Sequence, residues 1–183
     1  MSMPGPKFTY AEYRLLSEDQ RYEVIEGELL MTPAPNVRHQ RISRRLNHRL
    51  TTFVETGGYG EVLYAPTDVI LSTENVVQPD LLFVSKERLT ILDPDGAVNG
   101  APDLVVEILS PSTASRDRIA KYRLYSKYGV REYWVVDPEA RTVEVLVQGS
   151  GGLQNWRLFS EGSAVTSPLL PGISVPVAEI FQG

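Results

Sequence analysis

Asp103-Leu104-Val105-Val106-Glu107-Ile108-Leu109 is an aliphatic run with one acid, Glu107, set well inside it. Its β-branched content and its length, short for a helix, read as a buried strand over residues 103–109. A carboxylate buried without a partner is costly, so Glu107 needs a cation, a hydrogen bond or a metal. Two explanations stay open on residues alone: a functional acid, or a carboxylate paired with an arginine or placed at a wet sheet edge.

Downstream, Ser110-Pro111-Ser112-Thr113 stops the strand and caps a helix over 114–128, which Gly129 closes. Residues 132–136 and 142–147 read as a hairpin across Asp137-Pro138-Glu139-Ala140. A loop at 149–152, a strand at 153–159 and an edge strand or final turn at 173–181 complete the chain.

Upstream, 61–71 and 77–84 read as strands, and 85–101 as a polar connection with one helical turn. Asn36 caps a helix over 37–55 whose apolar stripe is Ile42, Leu46, Leu50 and Phe53, with Gly57-Gly58 at its end. His39 falls beside that stripe and is expected to point inward. Before it, Glu26-Gly27 makes the turn of a hairpin over 22–31. Thr9 and Glu12 form a capping box for a short helix reaching Ser17. The expected fold is a mixed α/β (α+β) sheet flanked by helices, in one domain over 1–183.

The 183 residues are 42% hydrophobic and 22% charged, as in an ordinary globular protein. No apolar run reaches the ~20 residues of a membrane span, and the first residues lack the pattern of a signal peptide, so a cytoplasmic location is expected. The absence of cysteine excludes disulfides, Cys-ligated zinc and a thiol nucleophile. With only His39 and His48 as imidazoles, a metal would sit on oxygen, which favours a hard ion. The net charge of −5 gives no global attraction to nucleic acid. Locally, Arg38, Arg41, Arg44, Arg45 and Arg49 stand against Glu55 alone. They read as a phosphate-holding face or as a solvated one.

Asp80 follows Pro79 and opens Leu81-Leu82-Phe83-Val84. If this strand runs antiparallel to 103–109, its start faces the other's end, and Asp80 lies near Glu107. Asp103 shares a face with Glu107 but stands ~13 Å along the strand, too far to share one metal. A cation is needed beside the acids, and Leu109 cannot supply it. Lys121 lies on a part-apolar helical face with Leu124, Tyr125 and Tyr128. It reads either as that cation or as an i,i+4 partner of Asp117, with Lys127 as a weaker alternative. Glu23, Glu26 and Asp68 are lesser candidates. Glu26 is most simply a turn residue, Glu23 suits orienting His39 or a water, and Asp68 alternates with inward positions.

Tyr22-Glu23-Val24-Ile25-Glu26-Gly27-Glu28-Leu29, Arg38-His39-Gln40, Val77-Gln78-Pro79-Asp80-Leu81, the stretch 102–112 and the stretch from Lys121 to Pro138 together resemble the Uma2 family. That family is similar to PD-(D/E)XK nucleases, with a restriction-endonuclease-like core. The resemblance implies Asp80 and Glu107 as the acidic pair, and Asp80, Glu107 and the Ile108 carbonyl as ligands of Mg²⁺ or Mn²⁺. It implies that the lysine has moved from position 109 to Lys121, and leaves His39, Glu23 and Glu26 as auxiliaries. The implied activity is endonucleolytic hydrolysis of nucleic acid, with DNA as the expected partner, no membrane, and a homo-oligomer left open. Two rivals are a nucleic-acid-binding or assembly domain with the same fold but no useful activity, and a two-carboxylate glycosidase. Metal dependence separates them from the nuclease.

Overall fold

The computed structural model describes residues 7–16, 19–110 and 114–182, with the side chains of 114–117 excepted. The expected end of the first helix at Ser17, the cap at 111–113 and the side chain of Asp117 lie outside the described residues.

Helix α1 (Tyr10–Tyr13) is short, and the Thr9 backbone N–H donates to Glu12 Oε2 at 2.8 Å. Strands β1 (Arg21–Ile25) and β2 (Glu28–Thr32) form the expected hairpin. Its turn holds Glu26 and Gly27 at φ 53° and 81°, the left-handed pair that a two-residue hairpin turn requires. Helix α2 (Val37–Gly57) begins where Asn36 Oδ1 accepts the His39 N–H at 2.9 Å, and ends at Gly58 in the left-handed region. Its buried face is Ile42, Leu46, Leu50 and Val54, with Phe53 packed at the margin.

Both strands expected next are each broken in two. Residues 61–71 divide into β3 (Gly60–Tyr64) and β4 (Val69–Ser72), and 77–84 into β5 (Asn75–Val77) and β6 (Leu81–Ser85). Pro66 and Pro79 lie at the two breaks, where a residue without a backbone N–H ends ladder pairing. Residues 86–101 contribute a 3-10 turn (Lys86–Ile91) and β7 (Val98–Asn99). Then come β8 (Leu104–Ile108), α3 (Ala114–Tyr128), β9 (Glu132–Asp137), β10 (Thr142–Gly149) and β11 (Gly152–Phe159). The tail forms β12 (Ala164–Val165), β13 (Val175–Pro176) and α4 (Val177–Ile180).

The breaks send the pieces to different sheets. One sheet has the order β11-β10-β9-β8-β6-β3, a second β2-β1-β5-β4-β7, and β12 and β13 pair by themselves. In the larger sheet β8 and β9 are parallel, joined through α3, and the remaining pairs are antiparallel. Side chains alternate across it. Leu104, Val106 and Ile108 pack with α2 and the C-terminal tail, whereas Val105 packs on the other face with Leu124, Tyr125 and Tyr133. Glu107 belongs to the second face, under α3.

The tail is tied to the rest by polar anchors. Glu132, fully buried, accepts from Trp134 Nε1 at 2.7 Å and from the Leu169 N–H at 3.0 Å. Arg45 donates to the carbonyls of Ile180 and Gln182, and Arg49 pairs with Glu179. Among the described residues, no helix is long and apolar enough to cross a membrane.

Candidate active site

In the antiparallel ladder of β6 and β8, Leu81 faces Val106 and Phe83 faces Leu104. Asp80 immediately precedes β6 and Glu107 immediately follows Val106, so the two acids stand at adjoining strand ends. The Ile108 N–H donates to Asp80 Oδ2 at 2.7 Å, which fixes the carboxyl at the end of β8. From the first turn of α2, His39 Nε2 lies 3.2 Å from Asp80 Oδ1.

Glu107 is 8% exposed. Tyr125 donates to its Oε1 at 2.6 Å, and Lys121 Nζ lies 3.1 Å from the same oxygen. Lys121 and Tyr125 are four residues apart, so both point from one face of α3 onto the sheet. Lys121 Nζ also lies 2.9 Å from Glu23 Oε1, which in turn accepts the Gln78 N–H at 2.8 Å. The lysine thereby joins α3, the large sheet and the hairpin.

Charge follows from this packing. Burial drives Glu107 upward, Lys121 pulls it down, Asp80 and Glu23 raise it again, and Tyr125 lowers it. The balance lies at about 7. Burial favours a neutral Lys121, but Glu107, Glu23 and Asp80 outweigh it and hold the ammonium well above its ordinary range. Lys121 is therefore a fixed positive charge and not a proton acceptor near neutrality. Burial also works against a charged His39, and the hydrogen bond and charge of Asp80, with Glu107 and the Ile108 backbone, raise it nonetheless.

Asp80, Glu107, Lys121, His39, Glu23, Gln78 and Ile108 line a cleft of about 740 Å³ that also includes Arg21, Met31, Arg38, Arg118 and Tyr133. Arg38 pairs with Glu139, Arg118 with Glu144, and Arg21 Nε donates to Gln78 Oε1 at 3.0 Å.

The structure brings together Asp80, Glu107, Lys121, His39, Glu23 and Ile108. It separates the others. Glu26 is an exposed turn residue outside the cleft, as its positive φ and place in a hairpin turn dictate. Asp68 is held by Tyr13 at 2.7 Å and Gln78 at 2.8 Å, beside the cluster but not in the cleft. Glu23 contacts Lys121 and not His39, because the smaller sheet carries it to the α3 side. Asp103 binds Arg88 at 2.9 Å and accepts the Ser85 N–H at 2.8 Å, a structural acid at the start of β8. Lys127 lies over the Tyr128 ring, and Glu55 is exposed. Arg45 and Arg49 face the tail, so α2 is not a uniform phosphate-holding face. The sequence does not point to Tyr133, Gln78, Arg21 and Arg118 in the cleft, nor to Tyr125 behind Glu107. For Tyr125 the one signal is its place one turn from Lys121.

The donor chemistry fits a hard divalent cation: two carboxylates at adjoining strand ends and a neighbouring backbone carbonyl, all oxygen. Asp80, Glu107 and Glu23 outnumber Lys121, leaving negative charge that a cation would offset. Among the described residues no group of three or more His, Asp or Glu side chains is spaced to hold a metal. An ion here would thus lean on backbone and water beside the two carboxylates, as Mg²⁺ commonly does.

The architecture is a mixed α/β fold of the kind seen in a solved structure described as "a putative nuclease belonging to DUF820" from Anabaena variabilis ATCC 29413. That structure matches with a TM-score of 0.80 over 95% of this chain and 97% of its own, at 21% identity, a likeness of fold. The model of the Uma2 family, described as "Putative restriction endonuclease", matches residues 9–178, and the chain belongs to that family. Two relatives from Synechocystis sp. (strain ATCC 27184 / PCC 6803 / Kazusa) are uncharacterized proteins. One, slr1290, is 27% identical over all of this chain and 95% of its own length. The other, sll1609, is 26% identical over 74% of this chain and 78% of its own.

Proposed function

We propose that this chain is a single-domain, Mg²⁺- or Mn²⁺-dependent endonuclease that hydrolyses phosphodiester bonds of DNA in the cytoplasm. The observation that carries the reading is the placing of Asp80 and Glu107 at adjoining strand ends, Asp80 held by the Ile108 N–H, with Lys121 at 3.1 Å from Glu107. Burying such a group costs stability, and core packing gains nothing from it.

Asp80, Glu107 and the Ile108 carbonyl would hold the cation, which supplies Lewis acidity toward a phosphate oxygen. Lys121 offsets charge as it builds on the phosphorus centre and orients the attacking water. Glu23 and Tyr125 hold Lys121 and Glu107 in place, and His39 holds Asp80. Water adds to phosphorus and one ester P–O bond breaks. The proton released by the water balances the one taken up by the leaving oxygen. Arg38 and Arg118 attract the flanking phosphates.

The test is cleavage of a DNA panel by the purified chain with Mn²⁺ or Mg²⁺, with EDTA and Glu107→Ala as controls. Metal-dependent cutting absent from Glu107→Ala supports the reading. Equal background in both, with no Mn²⁺ binding in calorimetry, replaces it with a non-catalytic nucleic-acid-binding domain.

A further inference from the structure

Three buried side-chain polar atoms among the described residues have no hydrogen-bond partner: His39 Nδ1, Tyr133 Oη and Gln148 Oε1. Two of the three belong to residues lining the same cleft, His39 and Tyr133. A buried hydroxyl without a partner forfeits its hydrogen bonds to water, a cost that core packing does not recover and that Phe at the same position would avoid.

Tyr133 is placed by the parallel pairing of β8 and β9. Val105 stands opposite Tyr133 and Glu107 opposite Val135, so Tyr133 projects from the Glu107 face. Tyr125, the residue that donates to Glu107, packs edge-on against the Tyr133 ring at 5.1 Å between centroids, with 68° between planes. The ring is 1% exposed. Burial raises the Tyr133 hydroxyl first, and the charges that then act on it are Glu107, Lys121, Arg118 and Asp80, all cleft residues. It therefore stays protonated and neutral near pH 7. A neutral hydroxyl can donate to a phosphate oxygen without changing the charge of the site.

We propose that the Tyr133 hydroxyl is a substrate-contacting group, donating a hydrogen bond to a non-bridging oxygen of the phosphate to be cut. The inference rests on the nuclease reading above. It adds a contact that strand 103–109 and the acidic pair do not imply.

Tyr133→Phe removes one oxygen and keeps the ring packing. Single-turnover cleavage of a DNA duplex with Mn²⁺ should fall about 10- to 100-fold. Affinity for the same duplex, followed by fluorescence anisotropy with Ca²⁺, should weaken about threefold or more. Thermal stability should be unchanged or higher, because an unpaired buried hydroxyl has gone. Wild-type rates and affinity in the variant would overturn the proposal. So would a lower melting temperature with cleavage reduced only as the folded fraction falls, which marks a structural hydroxyl. If wild type binds the duplex but cuts nothing, the nuclease reading fails separately, and the anisotropy comparison alone decides Tyr133. A wild type that neither binds nor cuts removes both.

Discussion

Glu23 Oε1 lies 2.9 Å from Lys121 Nζ, joining a hairpin near the N-terminus to the helix that follows the acidic strand. Glu23 is 5% exposed and also receives the Gln78 N–H, so its position is over-determined. Its effect on the reaction runs through the lysine. Glu23→Gln keeps the size and the acceptor but removes the charge that centres the ammonium. Single-turnover cleavage should drop about 10- to 100-fold. Mn²⁺ affinity by calorimetry should change little. An unchanged rate would leave Glu23 a purely structural acid.

Lys121 offsets three clustered carboxylates from a buried position. Lys121→Met should abolish measurable cleavage and cost about 3–5 kcal/mol of stability, the penalty for leaving buried charge uncompensated. The second half of the test is a coupling. Adding Glu107→Gln to Lys121→Met removes one of the stranded charges, so the double variant should melt higher than Lys121→Met alone. A melting temperature that falls additively would mean that the two side chains do not share one electrostatic balance.

The acidic pair was legible because its geometry is local to two strands. With Asp80 just before β6 and Glu107 next to the end of β8, the antiparallel register of Leu81 with Val106 brings the two acids to adjoining strand ends. Lys121 was legible from helical spacing and from the Uma2 resemblance together. Glu23 was named, but its partner was not, because the pairing crosses 98 positions and depends on how the smaller sheet docks on α3. The broken strands at Pro66 and Pro79 hid that second sheet. Glu132 shows the limit of the buried-acid signal. It too lies in an apolar strand and is fully buried, yet it anchors the tail through Trp134 and Leu169. An acid inside a strand marks a polar requirement, and only its three-dimensional partners show whether that requirement is chemical or structural.

Asp103 provides a pH test away from the cleft. Burial alone would raise its carboxyl, but the Ser85 N–H and Arg88 outweigh burial and lower it below the ordinary carboxylate value. A depressed folded pKa means that the folded state holds the charged form more tightly than the unfolded chain does. Its contribution is full above the unfolded value of about 3.9 and is lost as pH falls through the lower folded value. Asp103→Asn should therefore cost about 3 kcal/mol at pH 7. The difference in melting temperature from wild type should shrink as pH falls below about 4. A difference that stays constant across that range would assign the loss to packing instead of charge.

The arginines of α2 divide by what they touch, and DNA binding should divide them the same way. Arg45 and Arg49 are committed to the tail, on carbonyls and on Glu179, away from the cleft. Arg38 lines the cleft from the same helix, and Arg118 lines it from α3. Their partners, Glu139 and Glu144, form ion pairs with half-exposed arginines, and such pairs are worth only about 0–1 kcal/mol. A phosphate can therefore displace either carboxylate at little cost. Each phosphate contact releases counterions, so the slope of log affinity against log salt counts the contacts. Arg38→Ala and Arg118→Ala should each reduce that slope by about 1 and weaken binding across all sequences alike. Arg45→Ala and Arg49→Ala should leave the slope unchanged and lower only the melting temperature. Fluorescence anisotropy of one duplex over a salt series measures all four variants. Equal slopes for Arg38→Ala and wild type would remove Arg38 from the nucleic-acid surface.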